Sequence, residues 1–470
     1  MRQYIHTHWA IAIILCFFPV ALWALLQLQP TFDDWTYLTT PYTGKLSEVI
    51  FPAGVYWRPF DGLIGYVLGF NYHLFPALNH LIVLLGHTLA AVCVFLLCQK
   101  LKFKAASTNI ATLFFYLAPG MLGTVLDIDS INQTYSALWG LIGLLLFLRY
   151  QGSVRIACYV VCCYFAVLSK ENGILWFAII PLFAWGINRL SMRCLWQFAG
   201  LAFGCILLYG IARLSLPNSG MYVNNEYYSF ALAVKIKNIA KFVAVTCVPT
   251  DYVGLMHRSP IGIAGAVLTF FMAMPFYLSL FASKVRYWRE RTFWMFLFYI
   301  FLGASIHLAT IFTVMHAYAS LGLEALLVAY LLDKQTVSKR IIGFTLLYMV
   351  SAFMIATSHW DAARAAGQLA QRMGENTLRV LKNPVDSVYS IMLEDTVIHY
   401  SSFLVPPAKA FGWGRAAIHA SKYRWPKEWK DTLIQRDNKA AIPRLVKLAH
   451  QKGYRCVMVY DGERMKVVSR

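Results

Sequence analysis

The sequence predicts an α-helical polytopic membrane protein, with about 11 transmembrane helices and a small C-terminal α/β soluble domain. Three observations lead there. Of 470 residues, 59% are hydrophobic and only 14% charged, and mean hydropathy is +0.55. Apolar runs long enough to cross a bilayer, which needs about 20 residues for roughly 30 Å of hydrocarbon, recur along the chain. Basic clusters sit in every second loop between those runs. A β-barrel would instead alternate apolar and polar residues over short strands.

The first run, Trp9 to Gln29, carries no charge. It is too long for the apolar core of a cleavable signal, and Gln-Leu-Gln-Pro follows where small residues would mark a cleavage site. Comparable runs cover 75–98, 108–126, 134–148, 194–216, 261–281, 293–313, 320–332 and 341–357. The run 156–188 has Lys170 and Glu171 in its middle and is expected to be two short helices meeting near Ser169-Lys-Glu-Asn172. The alternative, one span plus an additional crossing at 239–255, would keep the same loop parity.

The formal net charge is +20, which raises nucleic acid as a partner. Its distribution argues against that. Clusters at Lys100/Lys102/Lys104, Arg149/Arg155, Arg189/Arg193, Lys284/Arg286/Arg289/Arg291 and Lys334/Lys339/Arg340 follow the positive-inside pattern. The N-terminus is then cytoplasmic, and the loops 30–74, 127–133, 169–173, 214–260 and 314–319 face outward together with the C-terminal segment. Nine of the twelve carboxylates before residue 358 lie in those outward loops. The ten cysteines suggest no disulfide framework: nine lie in or beside apolar segments, and Cys456 stands alone in the hydrophilic tail.

From about residue 358 the composition becomes soluble and basic. Asn438 to Gln451 reads as an amphipathic helix. Cys456 to Tyr460, an Asp461-Gly462 turn and Met465 to Val468 read as a hairpin. About 110 residues are enough for a small core. There is no internal repeat.

Charge inside such a chain is costly and worth reading residue by residue. Asp33 and Asp34 follow the first run, in Thr31-Phe-Asp-Asp-Trp-Thr-Tyr37. Adjacent carboxylates raise one another's pKa when partly buried. One placed beside a hydroxyl is the usual general base for glycosyl or phosphoryl transfer, although Asp is also a common helix N-cap. In Tyr56-Trp-Arg-Pro59, Arg58 can hold two phosphate oxygens or snorkel to headgroups. Pro76-Ala-Leu-Asn79-His80, with His87 on the same face, suggests a hydrogen bond between packed helices. The Lys170–Glu171 pair can neutralise a phosphate or cap two short helices.

Asp127, Asp129 and Gln133 share another outward turn. Lys235, Lys237, Lys241 and Asp251 flank Pro249 in an amphipathic stretch suited to the interface. Met315-His316-Ala-Tyr318 fills the last outward turn. No Ser/His/Asp order, zinc spacing or glycine-rich phosphate loop is present. An acid pair can bind a divalent cation, but two carboxylates alone make a poor site.

In this order and on one side, the acid pair, Trp57-Arg58-Pro59, Pro76-x-x-Asn79-His80, Leu168-Ser-Lys-Glu-Asn-Gly173, Pro249-Thr-Asp-Tyr252 and His316-x-Tyr318 resemble the GT-C superfamily of integral-membrane glycosyltransferases. The similarity covers about residues 1–357, and the tail 358–470 falls outside it. It is greatest to the branch holding protein O-mannosyltransferases and bacterial enzymes that use polyprenyl-phosphate sugars.

The resemblance implies a GT-C-like fold and inverting transfer of a monosaccharide from a polyprenyl-phosphate-linked donor. The acceptor hydroxyl would belong to a glycan, a lipid-linked saccharide or a protein, on the periplasmic side of a bacterial inner membrane. It implies Asp33 as base with Asp34 beside it, Arg58 and Lys170 on the donor phosphate, and Asp127, Asp129, Glu171 and Tyr318 near sugar or acceptor. His316 stands where the family often has arginine, so that phosphate contact is absent or supplied by histidine. The tail has no helical repeat of the kind found in some eukaryotic members. A flippase or transporter of lipid-linked saccharides, or a polymerase, is the alternative; yet the unusual charge gathers on one face and two similar halves are lacking. A receptor binding an anionic glycan through its basic tail would leave the acids beside the helices unexplained.

Overall fold

The computed structural model describes residues 2–30, 34, 41, 45–51, 57–71, 74–216, 231–247, 250–251, 255, 259–282, 286–308, 312–380, 387–394, 428–460 and 465–469. The long helices are α1 (Arg2–Leu25), α2 (Pro59–Gly69), α3 (His80–Lys100), α4 (Ala105–Leu117), α5 (Ile131–Arg149), α6 (Gly152–Ser169) and α7 (Trp176–Gly186). They continue with α8 (Met192–Leu214), α9 (Leu232–Cys247), α10 (Pro260–Phe281), α11 (Arg291–Leu308), α12 (Tyr318–Asp333) and α13 (Lys339–Val380).

Among the described residues, nine helices are long and apolar enough to cross a membrane, or ten if the bent pair Ala105–Leu117 and Pro119–Val125 counts as one span. That pair bends by 41° where Ala118 turns extended before Pro119, as a residue preceding proline prefers. The chain does break at Lys170, between α6 and α7. As expected for two short helices, α7 is 11 residues long and follows directly on the helical turn Glu171–Leu175.

The loops holding Asp34, Arg58, Asp127, Lys170 and His316 share one end of the bundle, tied by the contacts Asp34–Asp129, Arg58–Glu171, Lys170–Asn132, Asn172–His307 and His307–His316. The basic turns share the other. There Lys104 donates from its backbone N–H to Asp333 at 2.7 Å, and Lys334 meets Glu290 at 2.9 Å. The interior is packed with aromatic rings, Tyr159, Phe177, Phe183 and Tyr299 among them. Small residues let helices approach: a Cβ on Gly140 would overlap the Trp176 indole, so α5 and the start of α7 touch directly there.

The α13 helix is 42 residues long and runs unbroken through the change in composition near residue 358. Beyond it the strands β1 (Ser387–Glu394), β2 (Glu428–Gln435), β3 (Cys456–Tyr460) and β4 (Met465–Ser469) form one sheet in the order β2-β1-β3-β4. β1 pairs in parallel with β2 and β3, and β3 pairs antiparallel with β4. The last pair matches the expected hairpin; its turn, with Asp461 and Gly462, lies outside the described residues. Helix α14 (Ile442–Gln451) makes the crossover that parallel strands need. It packs Ala449 against Tyr389, Ile391 and Val459.

Candidate active site

The first wall of the site is the turn from Leu126 to Ser130. Asp127 is 1% exposed. The Asp129 backbone N–H donates to Oδ1 of Asp34 at 2.8 Å, and Asp34 is itself 1% exposed. One carboxylate of the acid pair therefore fixes a turn that carries two further acids. Asn132, in the first turn of α5, donates from Nδ2 to the Asp129 carbonyl at 2.8 Å.

The second wall is the break between α6 and α7. Lys170 is extended (φ −155, ψ 143), and residues 171–175 fold as a tight 3-10 turn. Gly173 makes that turn possible: a Cβ there would come within 2.3 Å of the Ala166 carbonyl. The Lys170 ammonium donates to Oδ1 of Asn132 at 2.9 Å. Arg58, just before α2, donates from Nε to Glu171 at 2.7 Å. Its neighbour Trp57 stacks on Tyr209, with ring centroids 5.4 Å apart.

Behind these charges lies a ladder of neutral polar groups. Asn172 donates from Nδ2 to Oε1 of Gln133 at 3.2 Å and faces Nε2 of His307 at 3.1 Å. The Ser136 hydroxyl donates to its Oδ1 at 3.4 Å. The His307 and His316 rings stack 4.0 Å apart at 10°, and the Thr313 backbone N–H donates to Nδ1 of His316 at 3.0 Å. Buried polar groups held this way are rigid, because each lost bond would leave an unsatisfied group.

Lys170 is 8% exposed. Among the described residues the ion pairs are Arg58–Glu171 and Lys334–Glu290, so no carboxylate pairs with its ammonium. Burial, and then the Arg58 guanidinium, push its pKa from 10.5 down to about 8, against the pull of Asp129, Glu171 and Asp61. Asp129 moves the other way, to about 6, through burial and the charge of Asp127, against Lys170 and Arg58. Oppositely shifted groups that act on one another in one place are typical of functional sites.

Asp34, Arg58, Asp127, Asp129, Lys170 and Glu171 thus come together at one end, and His316 joins them through His307. Tyr318 is set apart: its hydroxyl bonds Nδ1 of His87 at 2.9 Å, and the other imidazole nitrogen faces the Tyr116 carbonyl at 3.1 Å. This is the interhelical bond expected at His87, between α3 and α12. Asp33 lies outside the described residues, as do Tyr56, Lys284, Glu226, Pro249 and Tyr252. Asn132, Ser136 and His307 were not singled out from the sequence. The one available signal was polar residues at 132, 133 and 136, spaced to line one face of an otherwise apolar helix. Among the described residues no three His, Cys, Asp or Glu side chains converge as metal ligands do.

Beside the acidic turn, an apolar cavity of about 270 Å³ opens between α1, α3 and α13, lined by Phe17, Leu84, Val125, Leu126, Ala356 and Trp360.

No family model matches this chain, and no curated protein sequence does. Among solved structures, ArnT from Cupriavidus metallidurans bound to undecaprenyl phosphate matches with a TM-score of 0.51 at 11% identity, over 98% of this chain and 97% of that one. Archaeoglobus fulgidus oligosaccharyltransferase, with Zn and sulfate, matches at 0.48 and 14% identity over 94% of this chain and 67% of that one. Its apo form gives 0.47 and 13%, over 96% and 69%. At such identities the ArnT likeness is one of fold, and it agrees with the GT-C-like architecture expected from the sequence.

Proposed function

We propose that this protein is a membrane glycosyltransferase that moves a monosaccharide from a polyprenyl-phosphate-linked donor to an acceptor hydroxyl, with inversion, on the non-cytoplasmic face. Residues 1–357 carry the transfer, and the segment 358–470 stands on the same side. The observation that supports this most is Lys170, a buried ammonium held by an amide rather than by a carboxylate. A buried cation without a counter-ion is costly unless an anion arrives. A phosphate at the membrane surface is such an anion. The apolar cavity beside the acidic turn suits the first part of its lipid chain, and the fold is shared with a protein crystallised with undecaprenyl phosphate.

In this reading the acceptor oxygen attacks the anomeric carbon while the bond from that carbon to the phosphate oxygen breaks. The bonding electrons leave with the phosphate, and Lys170 and Arg58 stabilise the charge that builds there. Glu171 orients Arg58 through Nε. His316, stacked on His307, lines the phosphate side in place of arginine. The acceptor proton passes to Asp33; Asp34 holds the turn with Asp127 and Asp129, which face sugar or acceptor. Tyr318, bonded to His87, is a packing group here. A single displacement needs one base, unlike the paired carboxylates of glycosidases.

The test is transfer from a synthetic polyprenyl-phosphate sugar by the purified protein, with mass analysis of surface glycans in cells with and without it. Asp33→Asn should abolish transfer and leave donor binding intact. If lipid-linked saccharide still crosses the membrane in that variant and no glycan loses a sugar, the flippase alternative replaces the enzyme.

A further inference from the structure

We propose that Asn132 is a positioning residue, which holds the Lys170 ammonium at the site while leaving its charge for an incoming phosphate. The inference rests on the donor reading above and adds to it the group that sets how much charge the donor meets.

Asn132 is 1% exposed and links the two walls of the site. Its Oδ1 accepts from the Lys170 ammonium at 2.9 Å, and its Nδ2 donates to the Asp129 carbonyl at 2.8 Å. The amide can face only one way: an ammonium cannot accept and a carbonyl cannot donate. The same side chain therefore sets the position of Lys170 against the turn bearing Asp127 and Asp129.

Charge, not shape, distinguishes this arrangement. Aspartate would fill the same space and still accept from Lys170, while losing the donor to the Asp129 carbonyl and adding a negative charge. Elsewhere among the described residues Arg58 faces Glu171 and Lys334 faces Glu290, while the cations that bond neutral carbonyls, Lys104 and Arg155, do so where solvent reaches them. At Lys170 the partner is neutral, and Asp129, Glu171 and Asp61 act on it only through space. An ammonium paired with a carboxylate would offer a phosphate less net attraction than one held by an amide, because part of its charge would be offset before the phosphate arrived. Held by an amide, Lys170 is fixed in place and still cationic.

The experiment uses the full-length protein in nanodiscs. The titration of Lys170 is followed by competitive acetylation across pH, read by mass spectrometry, without lipid phosphate. Asn132→Asp should move the midpoint up by about one pH unit or more from its wild-type value near 8, and Asn132→Ala, which removes the acceptor, should move it down. A merely structural role would shift neither, or both in one direction; that result overturns the inference. Thermal unfolding identifies a variant that fails to fold, and the other variant then carries the test. Undecaprenyl phosphate binding is measured in parallel, with Asn132→Asp expected to weaken it about tenfold. If wild type and Lys170→Met bind that lipid equally, the donor reading fails, whatever the titrations show. If they differ and Asn132→Asp binds like wild type, the role of Asn132 fails alone.

Discussion

At the basic end of the bundle, Lys334 meets Glu290 with both side chains about a third exposed, and Asp333 takes the Lys104 backbone N–H in a turn open to solvent. At the opposite end, Arg58 meets Glu171 with each side chain about a fifth exposed. There Lys170 is buried against Asn132, at the end that also buries Asp34, Asp61 and Asp127. Near water, cation and carboxylate pair locally, and the pair is worth roughly 0–1 kcal/mol. In the interior Lys170 is held by the Asn132 amide instead, and the Asp34 carboxylate by a backbone N–H. That arrangement keeps charge available for a ligand, at a cost to the empty protein.

The sharpest way to break this contrast is to exchange the proposed base and, separately, an acid of the basic end. Asp33→Asn should lower transfer by roughly 10²–10⁴-fold, the usual contribution of a general base. Asp333→Asn, at the other end, should leave the rate within about twofold, because its bonds lie outside the site. Equal losses in the transfer assay would mean that the two ends do not differ in role.

The next effect concerns the buried ammonium. Lys170→Met should raise the apparent KM for a polyprenyl-phosphate donor by about 10–100-fold, the worth of a hydrogen bond to a charged group. A purely capping lysine would instead lower stability and leave KM alone, which steady-state kinetics on folded protein can separate.

pH gives a third test, with opposite signs for binding and folding. Above about 8 the Lys170 ammonium loses its proton, so donor affinity should fall by up to tenfold per pH unit. The unfolded chain keeps that proton to about 10.5, so between 8 and 10.5 it binds more protons than the native state. Stability of the ligand-free protein attributable to this group should therefore rise with pH across that window. Between about pH 7.5 and 9.5, on either side of the native value, donor affinity and denaturant midpoint should move in opposite directions.

The smallest effect compares the two ion pairs. Lys334→Gln should cost no more than about 1 kcal/mol. Arg58→Gln should cost about 1–3 kcal/mol, since it leaves Glu171 partly buried without its partner. Denaturant midpoints of the two variants would show whether the ends differ in stability as they do in chemistry.

Much of the bundle is legible in the sequence because hydrocarbon imposes a length and basic loops impose a parity. The break at Lys170 could be read for the same reason: a Lys-Glu pair does not belong in the middle of a span. The pairing of Arg58 with Glu171 could not, because 113 residues separate the partners and each also reads sensibly alone. Asn132, Ser136 and His307 escaped notice as neutral groups inside or at the edge of apolar runs, where polarity ordinarily signals helix packing. Tyr318 shows the reverse case. Its place in a suggestive motif made it a candidate for the site, while its hydroxyl is taken by His87 across a helix interface.

At 42 residues, α13 measures about 63 Å, twice the thickness of the roughly 30 Å hydrocarbon layer. Its Trp360 indole is tied to the Ala24 carbonyl of α1, the backbone at Gly367 lies directly on Gln29, and β4 touches the same helix. The small domain is therefore mounted on a shaft whose angular phase is set inside the bundle. One extra residue after Ala370 would swing whatever the shaft carries by about 100°, and seven, close to two full turns, would nearly restore its heading while lifting it by about 10 Å.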